Sequence, residues 1–176
     1  MIVEKRFEQS YRVRPQAAAL VEDRGISDGS GPGARATAGT PEIAVSAWIA
    51  QATYRPYQLL DLRLDVAVAS GLHVYGRPIP DGYIPLSVEI DPLDSLELLG
   101  PPQWPDGRPF RVAGLEESFV VHEGTVQGTV RLYLARNIGD VELVTRLRYQ
   151  ACSADECFPP DEVVLRLPLE GLDNIR

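Results

Sequence analysis

Residues 141–169 read VELVTRLRYQACSADECFPPDEVVLRLPL, and this stretch predicts a β-hairpin with two cysteines at its tip. Apolar and polar residues alternate over 141–149 and again over 163–169, which is typical of strands that bury one face. Cys152 and Cys157 are the two cysteines of the chain, so a disulfide between them would close the tip of the hairpin. A pair placed there is better suited to redox chemistry than to holding a core together.

The same period of two continues upstream and predicts an all-β domain. Fifteen Gly and fifteen Pro indicate many turns, and no long amphipathic helix is predicted after residue 42. Seven to nine short strands joined by turns indicate an immunoglobulin-like antiparallel β-sandwich. The strands expected from the alternation cover residues 60–68, 72–75, 84–90, 96–99, 119–121, 125–134, 141–149 and 163–169.

The sequence divides into three parts. Residues 1–24 are a charged extension that is expected to form one or two short helices broken at Pro15. Residues 25–41 contain almost no large apolar side chain and predict a flexible linker, because such a segment cannot offset its ordering entropy. The β-sandwich is expected to cover residues 42–176.

The composition is that of a soluble globular domain and excludes some classes of partner. Of the 176 residues, 44% are apolar and 24% are charged, and the net charge is −8. Nucleic-acid binding needs clustered Lys and Arg, so the acidic balance argues against it and against anionic membrane surfaces. No stretch approaches the ~20 apolar residues of a membrane span. The N-terminus has no signal-peptide core, and the residues by themselves leave the compartment open.

The spacing of the cysteines supports a structural and a redox role about equally. Closing so short a loop stabilises a fold by roughly 2 kcal/mol, and a structural crosslink would gain more between distant strands. The C-x4-C spacing also differs from the C-x2-C of thioredoxin-like and zinc sites. A zinc site would need His73 and His122 as ligands, and both lie far from the cysteines in sequence. No metal and no cofactor is therefore predicted.

Acidic residues near the pair favour one kind of redox role. Asp155, Glu156 and Asp161 disfavour the thiolate, so we expect raised thiol pKa values and weak attacking nucleophiles. Such a pair is better suited to being attacked, as a disulfide, by the thiolate of a partner. Phe158 is expected either to shield the sulfur atoms or to pack in the core.

The segment Tyr149-Gln-Ala-Cys152…Cys157-Phe-Pro-Pro160, followed by an alternating Val/Leu strand, resembles the N-terminal domain of the DsbD family. These bacterial membrane proteins carry reducing power across the inner membrane, and this domain is an immunoglobulin-like sandwich. The resemblance implies that the two cysteines cycle between dithiol and disulfide. It also implies a thioredoxin-like donor, an extracytoplasmic thiol–disulfide acceptor and a periplasm-like location. It favours Cys157 as the cysteine that forms the mixed disulfide.

The resemblance extends upstream, where Gly71-Leu-His-Val-Tyr75 is similar to the family's Gly-aromatic-x-x-Tyr element. It implies that Tyr75 and His73 line the site. The family's aromatic cap over the disulfide has no clear counterpart, and the candidates are Phe110, Leu115 and Phe119. Related domains also occur fused behind thioredoxin- or peroxiredoxin-like domains, which would suit the charged extension.

A second interpretation is a non-catalytic binding or structural sandwich with an inert hairpin disulfide. The Pro-rich loops 76–82 and 100–109 would then form the binding surface, with Trp104 as a partner contact.

Overall fold

The computed structural model describes residues 33–111 and 117–174, and all regular elements within these ranges are β-strands. The all-β prediction is confirmed. In the described residues the strands number thirteen rather than seven to nine, because strands of two to four residues are too short to show an alternation. The strands are β1 (Ala34–Gly39), β2 (Ile43–Ile49), β3 (Thr53–Tyr54), β4 (Leu60–Val68), β5 (His73–Tyr75), β6 (Ser87–Ile90), β7 (Leu96–Leu98), β8 (Arg108–Arg111), β9 (Ser118–His122), β10 (Thr125–Leu134), β11 (Val141–Tyr149), β12 (Ala151–Cys152) and β13 (Asp161–Gly171).

Two of the three sheets enclose the main core. One has the order β1-β2-β4-β10-β7, and the other has the order β3-β13-β11-β6. Their long strands alternate as predicted, so every second side chain points inward and is removed from water. Leu62 and Leu132 of the first sheet and Leu143 and Leu167 of the second are fully buried. The arrangement is the predicted immunoglobulin-like sandwich.

The predicted hairpin at residues 141–169 is confirmed. β11 and β13 pair antiparallel from Val141 opposite Leu169 to Tyr149 opposite Asp161, which leaves residues 150–160 as the connection. The Tyr149 hydroxyl lies 2.6 Å from the Thr40 hydroxyl, between β1 and β2. Burial raises the pKa of Tyr149 to about 12. This contact fixes the start of the cysteine-containing connection against the opposite sheet.

The third sheet is small and has the order β12-β5-β9-β8. After Gln150 the chain leaves the β11–β13 pair, and β12 pairs with β5 instead, so that Cys152 lies opposite His73. A second apolar cluster lies on this sheet, separate from the main core. Its buried members are Tyr75, Phe119, Val121 and Cys152, and Ile79, Tyr83 and Phe110 pack against them.

The predicted flexible linker over residues 25–41 is wrong for its last part, because β1 occupies Ala34–Gly39. The prediction relied on the lack of large apolar side chains, whereas β1 is held by pairing with β2 along its whole length. A Cβ on Gly39 would lie 2.7 Å from the Ile43 carbonyl oxygen, so a small residue permits this close pairing. The predicted N-terminal extension, residues 1–24, lies outside the described residues.

Trp104 packs against the main core from the second Pro-rich loop. A Cβ on Gly128 of β10 would lie 2.4 Å from the indole ring, so the glycine makes room for it. The neighbouring Gln103 pairs with Thr129 through backbone hydrogen bonds of 2.9 and 3.0 Å. These contacts give Trp104 a packing role. Within the described residues, no helix is long and apolar enough to cross a membrane.

Candidate redox site

A disulfide joins Cys152 and Cys157 across one tight turn. The two residues form an antiparallel bridge with their Cα atoms 4.0 Å apart. Ser153 closes the turn, since its backbone N–H donates to the Glu156 carbonyl at 2.8 Å. Its hydroxyl oxygen accepts hydrogen bonds from the N–H groups of Asp155 and Glu156 at 3.2 and 3.1 Å. Four residues are thus enough to bring the two cysteines side by side.

The two halves of the disulfide differ in their access to solvent. Cys152 belongs to β12 and is 1% exposed within the second apolar cluster. Cys157 lies beyond the turn and is exposed. A thiolate from another protein therefore reaches the Cys157 side of the bond from solvent, whereas the Cys152 side is covered.

The hydroxyl of Tyr75 lies beside both sulfur atoms. Its oxygen is 3.4 Å from the Cys152 Sγ and 3.5 Å from the Cys157 Sγ. The sulfur atoms of a disulfide carry no proton, so the hydroxyl is the donor in this state. Burial, and to a lesser extent the nearby Tyr83, raises the pKa of Tyr75, which keeps the hydroxyl protonated at neutral pH.

One face of the third sheet carries the side chains around the disulfide. Partners directly opposite each other in an antiparallel pair share a face. Cys152 is opposite His73, and Tyr75, two residues further along β5, is opposite Val121. On the same face, Phe119 of β9 is opposite Phe110 of β8. This face therefore joins a cysteine, a histidine and three aromatic rings.

His73 is 5% exposed and lies beneath Phe110, with 4.7 Å between the ring centroids. Its Nε2 atom is buried and has no hydrogen-bond partner among the residues that the structure describes. Burial is the main cause of a lowered pKa for His73. Glu123 opposes this shift, and Arg108 adds to it. The imidazole is consequently neutral at neutral pH.

The structure places the predicted site residues differently. Tyr75 and His73 lie next to the disulfide, as the resemblance implied. Phe158 packs against the main core instead of joining the cluster that contains Cys152, and its backbone N–H donates to the Ala151 carbonyl at 2.8 Å. This position corresponds to the packing role among the two that the sequence allowed.

The three candidates for an aromatic or apolar cap occupy different positions. Phe119 is fully buried and packs against Tyr75, so it lies within the cluster rather than over it. Phe110 is partly buried and packs against the outside of the cluster. Leu115 lies outside the described residues. Phe110 thus has the position that a cover over this face requires.

Sequence reasoning missed Tyr83, which contacts both Tyr75 and Phe119 at centroid distances of 5.2 and 4.9 Å. Tyr83 follows a loop rich in Pro and Gly that contains a cis Arg77–Pro78 bond. Alternation gives no signal in such a loop. Only the return of the loop onto β5, where the Leu86 N–H donates to the Tyr75 carbonyl, brings this ring to the site.

Charged side chains at the site are confined to its rim. Asp155, Glu156 and Asp161 are exposed around Cys157, as expected for a turn and its exit. Arg108 and Glu123 form an exposed ion pair at 2.6 Å on the His73 side. In the part of the chain that the structure describes, no group of three or more His, Cys, Asp or Glu side chains is arranged to hold a metal ion.

Comparison with known proteins identifies a similar family. Residues 44–168 match the family model described as "Thiol:disulfide interchange protein DsbD, N-terminal". The match includes both cysteines, β5 with Tyr75 and His73, and most of the sandwich. No curated protein sequence matches the chain.

Solved structures share the fold at low sequence identity. The N-terminal periplasmic domain of ScsB from Proteus mirabilis is 19% identical, with a TM-score of 0.54 over 74% of this chain. That alignment covers 49% of the ScsB chain, so the present chain spans about half of its length. The reduced DsbD N-terminal domain of Neisseria meningitidis is 16% identical over 80% of this chain and 87% of that one, with a TM-score of 0.45. In a further structure, the N. meningitidis DsbD N-terminal domain is in complex with the PilB N-terminal domain; it is 16% identical over 76% of this chain and 80% of that one, with a TM-score of 0.41.

Proposed function

This chain belongs to the family of DsbD N-terminal domains and is a thiol–disulfide exchange module, and we propose that it relays reducing equivalents from a thioredoxin-like donor to a thiol–disulfide acceptor. The observation that carries the proposal is the difference in exposure between the two halves of the disulfide. An exposed Cys157 is open to a partner, while a buried Cys152 is protected from side reactions.

The exchange begins with attack of a donor thiolate on the Cys157 Sγ. The bond between the two cysteines breaks as the donor–Cys157 bond forms, and the electron pair leaves on the Cys152 Sγ. The Tyr75 hydroxyl, 3.4 Å from this sulfur, donates a hydrogen bond to the new thiolate. The second thiol of the donor then attacks the mixed disulfide, so the donor leaves oxidised and the domain holds a dithiol after uptake of two protons.

The dithiol passes its electrons on by the reverse order of bonds. Cys157 attacks the acceptor disulfide and forms a mixed disulfide, and Cys152 then attacks Cys157 and releases the reduced acceptor. The donor must be a stronger nucleophile than the domain itself, which suits a thioredoxin-like cysteine, because its lowered pKa makes it a thiolate at neutral pH. The acidic rim at Asp155 and Glu156 favours partners without acidic side chains near their reactive cysteine.

Phe110 is the cover of the site in this proposal. Its ring lies against His73 and the cluster that contains Cys152, on the same face of the sheet. β8 is the edge strand of the third sheet, so Phe110 has a paired strand on one side and none on the other. A docking partner can therefore displace this ring without breaking the strand pairs that hold Cys152 and Tyr75.

Single-cysteine variants test which sulfur reacts. A thioredoxin-like domain with one active-site cysteine, activated as its mixed disulfide with thionitrobenzoate, is mixed with reduced Cys152→Ser or Cys157→Ser protein. Cys152→Ser, which keeps the exposed Cys157, should form the covalent complex at least tenfold faster, as measured by non-reducing electrophoresis and thionitrobenzoate release. Equal rates, or a faster reaction of Cys157→Ser, would contradict the proposal.

The reduction potential separates a relay from an inert structural bond. A relay disulfide exchanges with cellular thiol couples, so its potential should lie above about −300 mV. Equilibration of the intact chain with glutathione or dithiothreitol buffers measures this value. A potential well below that limit would instead support the interpretation as a binding or structural sandwich domain.

A further inference from the structure

His73 has an unusual environment for a histidine in a β-sandwich core. It is 5% exposed, and its Nε2 atom is buried without a hydrogen-bond partner among the described residues. A buried polar atom left unsatisfied costs about 1–3 kcal/mol, so such atoms are rare and call for an explanation. An apolar or aromatic side chain at this position would fill the same space without that cost.

The strand pairing places His73 directly opposite Cys152. The two are register partners in the β5–β12 pair, so their side chains project from the same face. The Cβ atoms of such partners are about 4.5–5.5 Å apart, within reach of each other's side-chain atoms. Cys152 is also the buried sulfur, which solvent bases do not reach in the folded protein.

We propose that His73 is the general base that removes the proton of the Cys152 thiol when Cys152 closes the disulfide. The inference rests on the proposed exchange through Cys157 and assigns a role in its second step. In that step, the thiol proton moves from the Cys152 Sγ to the His73 Nε2. The Cys152 Sγ bonds to the Cys157 Sγ, the Cys157–acceptor bond breaks, and the acceptor sulfur leaves with the electron pair. The imidazolium then gives its proton to solvent.

The other groups around His73 do not provide a base. Tyr75 meets its ring edge-on at 5.9 Å, and the raised pKa of Tyr75 makes this hydroxyl a donor rather than an acceptor of protons at neutral pH. Arg108 and Glu123 lie on the exposed side and pair with each other at 2.6 Å. Phe110 covers the imidazole ring. The lowered pKa of His73 keeps the imidazole neutral and able to accept a proton.

The test separates the two chemical steps with one small disulfide, dithiobis(nitrobenzoate). The reduced protein should release thionitrobenzoate in two phases, first when Cys157 attacks the reagent and then when Cys152 closes the disulfide. His73→Gln should slow the second phase at least tenfold at neutral pH and leave the first phase within about twofold. General bases contribute on the order of 10²–10⁴ in rate, so a smaller loss would leave no room for this role.

The pH profile of the second phase gives a readout that a purely structural role would not change, and it needs no variant. In the unaltered chain, the rate should level off above a midpoint below 6.5, the ordinary pKa of histidine. In His73→Gln it should instead keep rising with pH toward the ordinary thiol pKa of about 8.5. A profile in the unaltered chain that follows a thiol-like midpoint would overturn the proposal.

His122→Gln is the matched control. His122 is also buried, at 7% exposure, but it is opposite Val74 and therefore lies on the other face of β5 from His73. The control should leave both phases and their pH profiles unchanged. If His122→Gln slows the second phase as much as His73→Gln does, the effect is structural and the assignment of His73 is wrong. Absence of the first phase in all proteins would instead contradict the exchange through Cys157.

Discussion

The main core and the third sheet are built from different materials. Around the main core, the long strands β2, β4, β10, β11 and β13 contain 7 to 11 residues, and the buried side chains are mostly aliphatic. The third sheet uses strands of 2 to 5 residues, and its cluster consists of aromatic rings, one valine and a cysteine. The first region supplies stability, and the second carries chemistry on a surface too small to fold alone.

β5 connects the two regions by using both of its faces. Val74 packs into the main core, whereas His73 and Tyr75, its neighbours in the chain, point into the site. β12 continues directly from β11 after one residue, so the sulfur of Cys152 is held by a strand of the main sandwich. The small sheet is therefore positioned by the large core, although it contributes little to it.

The strongest test of this division removes a side chain from the main core. Leu132→Ala, at a fully buried position of β10, should lower the free energy of unfolding by about 2–5 kcal/mol, since it leaves a cavity. The reduction potential of the disulfide should stay the same. Urea denaturation and redox titration measure the two quantities. Leu98→Ala, at the partly exposed register partner of Leu132, is the control and should cost far less.

Reduction of the disulfide should have a smaller effect on stability. The loop between Cys152 and Cys157 is short, so loss of the crosslink should lower the free energy of unfolding by about 2 kcal/mol. Urea denaturation with and without dithiothreitol gives this difference, and hydrogen exchange should show new opening mainly in β12 and β5. A loss comparable to that of Leu132→Ala would mean that the disulfide supports the main core, and the division would fail.

Tyr75→Phe should change the kinetics of exchange more than the stability. The hydroxyl donates to the leaving sulfur, and hydrogen bonds to charged groups contribute about 1.5–3 kcal/mol. Reduction by a thioredoxin-like donor should therefore slow about tenfold, which corresponds to ~1.4 kcal/mol in the barrier. Tyr83→Phe, which alters a ring that packs on Tyr75, is the control. Equal slowing in both variants would indicate a packing effect.

The smallest predicted effect is a loss of stability at mildly acidic pH. Burial lowers the folded-state pKa of His73 and His122 below 6.5. Between these two values the unfolded chain binds more protons, so stability is constant above about pH 7 and falls as the pH drops below 6.5. Urea midpoints over this range measure the slope, and His122→Gln should reduce it. Asp61 and Asp91, whose pKa values are lowered by hydrogen bonds from arginine, contribute only below about pH 4.

The parts of the fold that sequence predicted are those with a repeated local signal. The alternation in β4, β10, β11 and β13 extends over nine or more residues, and the structure has each of these strands. β1 was predicted as part of a linker because Ala, Thr and Gly give no apolar contrast, although backbone pairing is enough to hold them in a sheet. Short strands such as β12 and β8 form only because a partner strand is present.

The candidate site divides in the same way. Cys152 and Cys157 are five positions apart, so any turn brings them together, and the sequence alone identified the pair. Tyr75 and His73 came from the family resemblance, because they are nearly 80 positions away and no local rule places them near the sulfur atoms. Tyr83 was missed for the same reason.

The sequence by itself determined that this chain forms a β-sandwich with two cysteines at the tip of a hairpin, because alternation and short spacing are local properties. The tertiary structure decided which sulfur is exposed and which is buried. That difference depends on the chain leaving one sheet at Gln150 and pairing with β5 of another. The same crossing sets a neutral histidine opposite the buried sulfur. Such pairings join distant segments, and their energy exists only once the sandwich has formed.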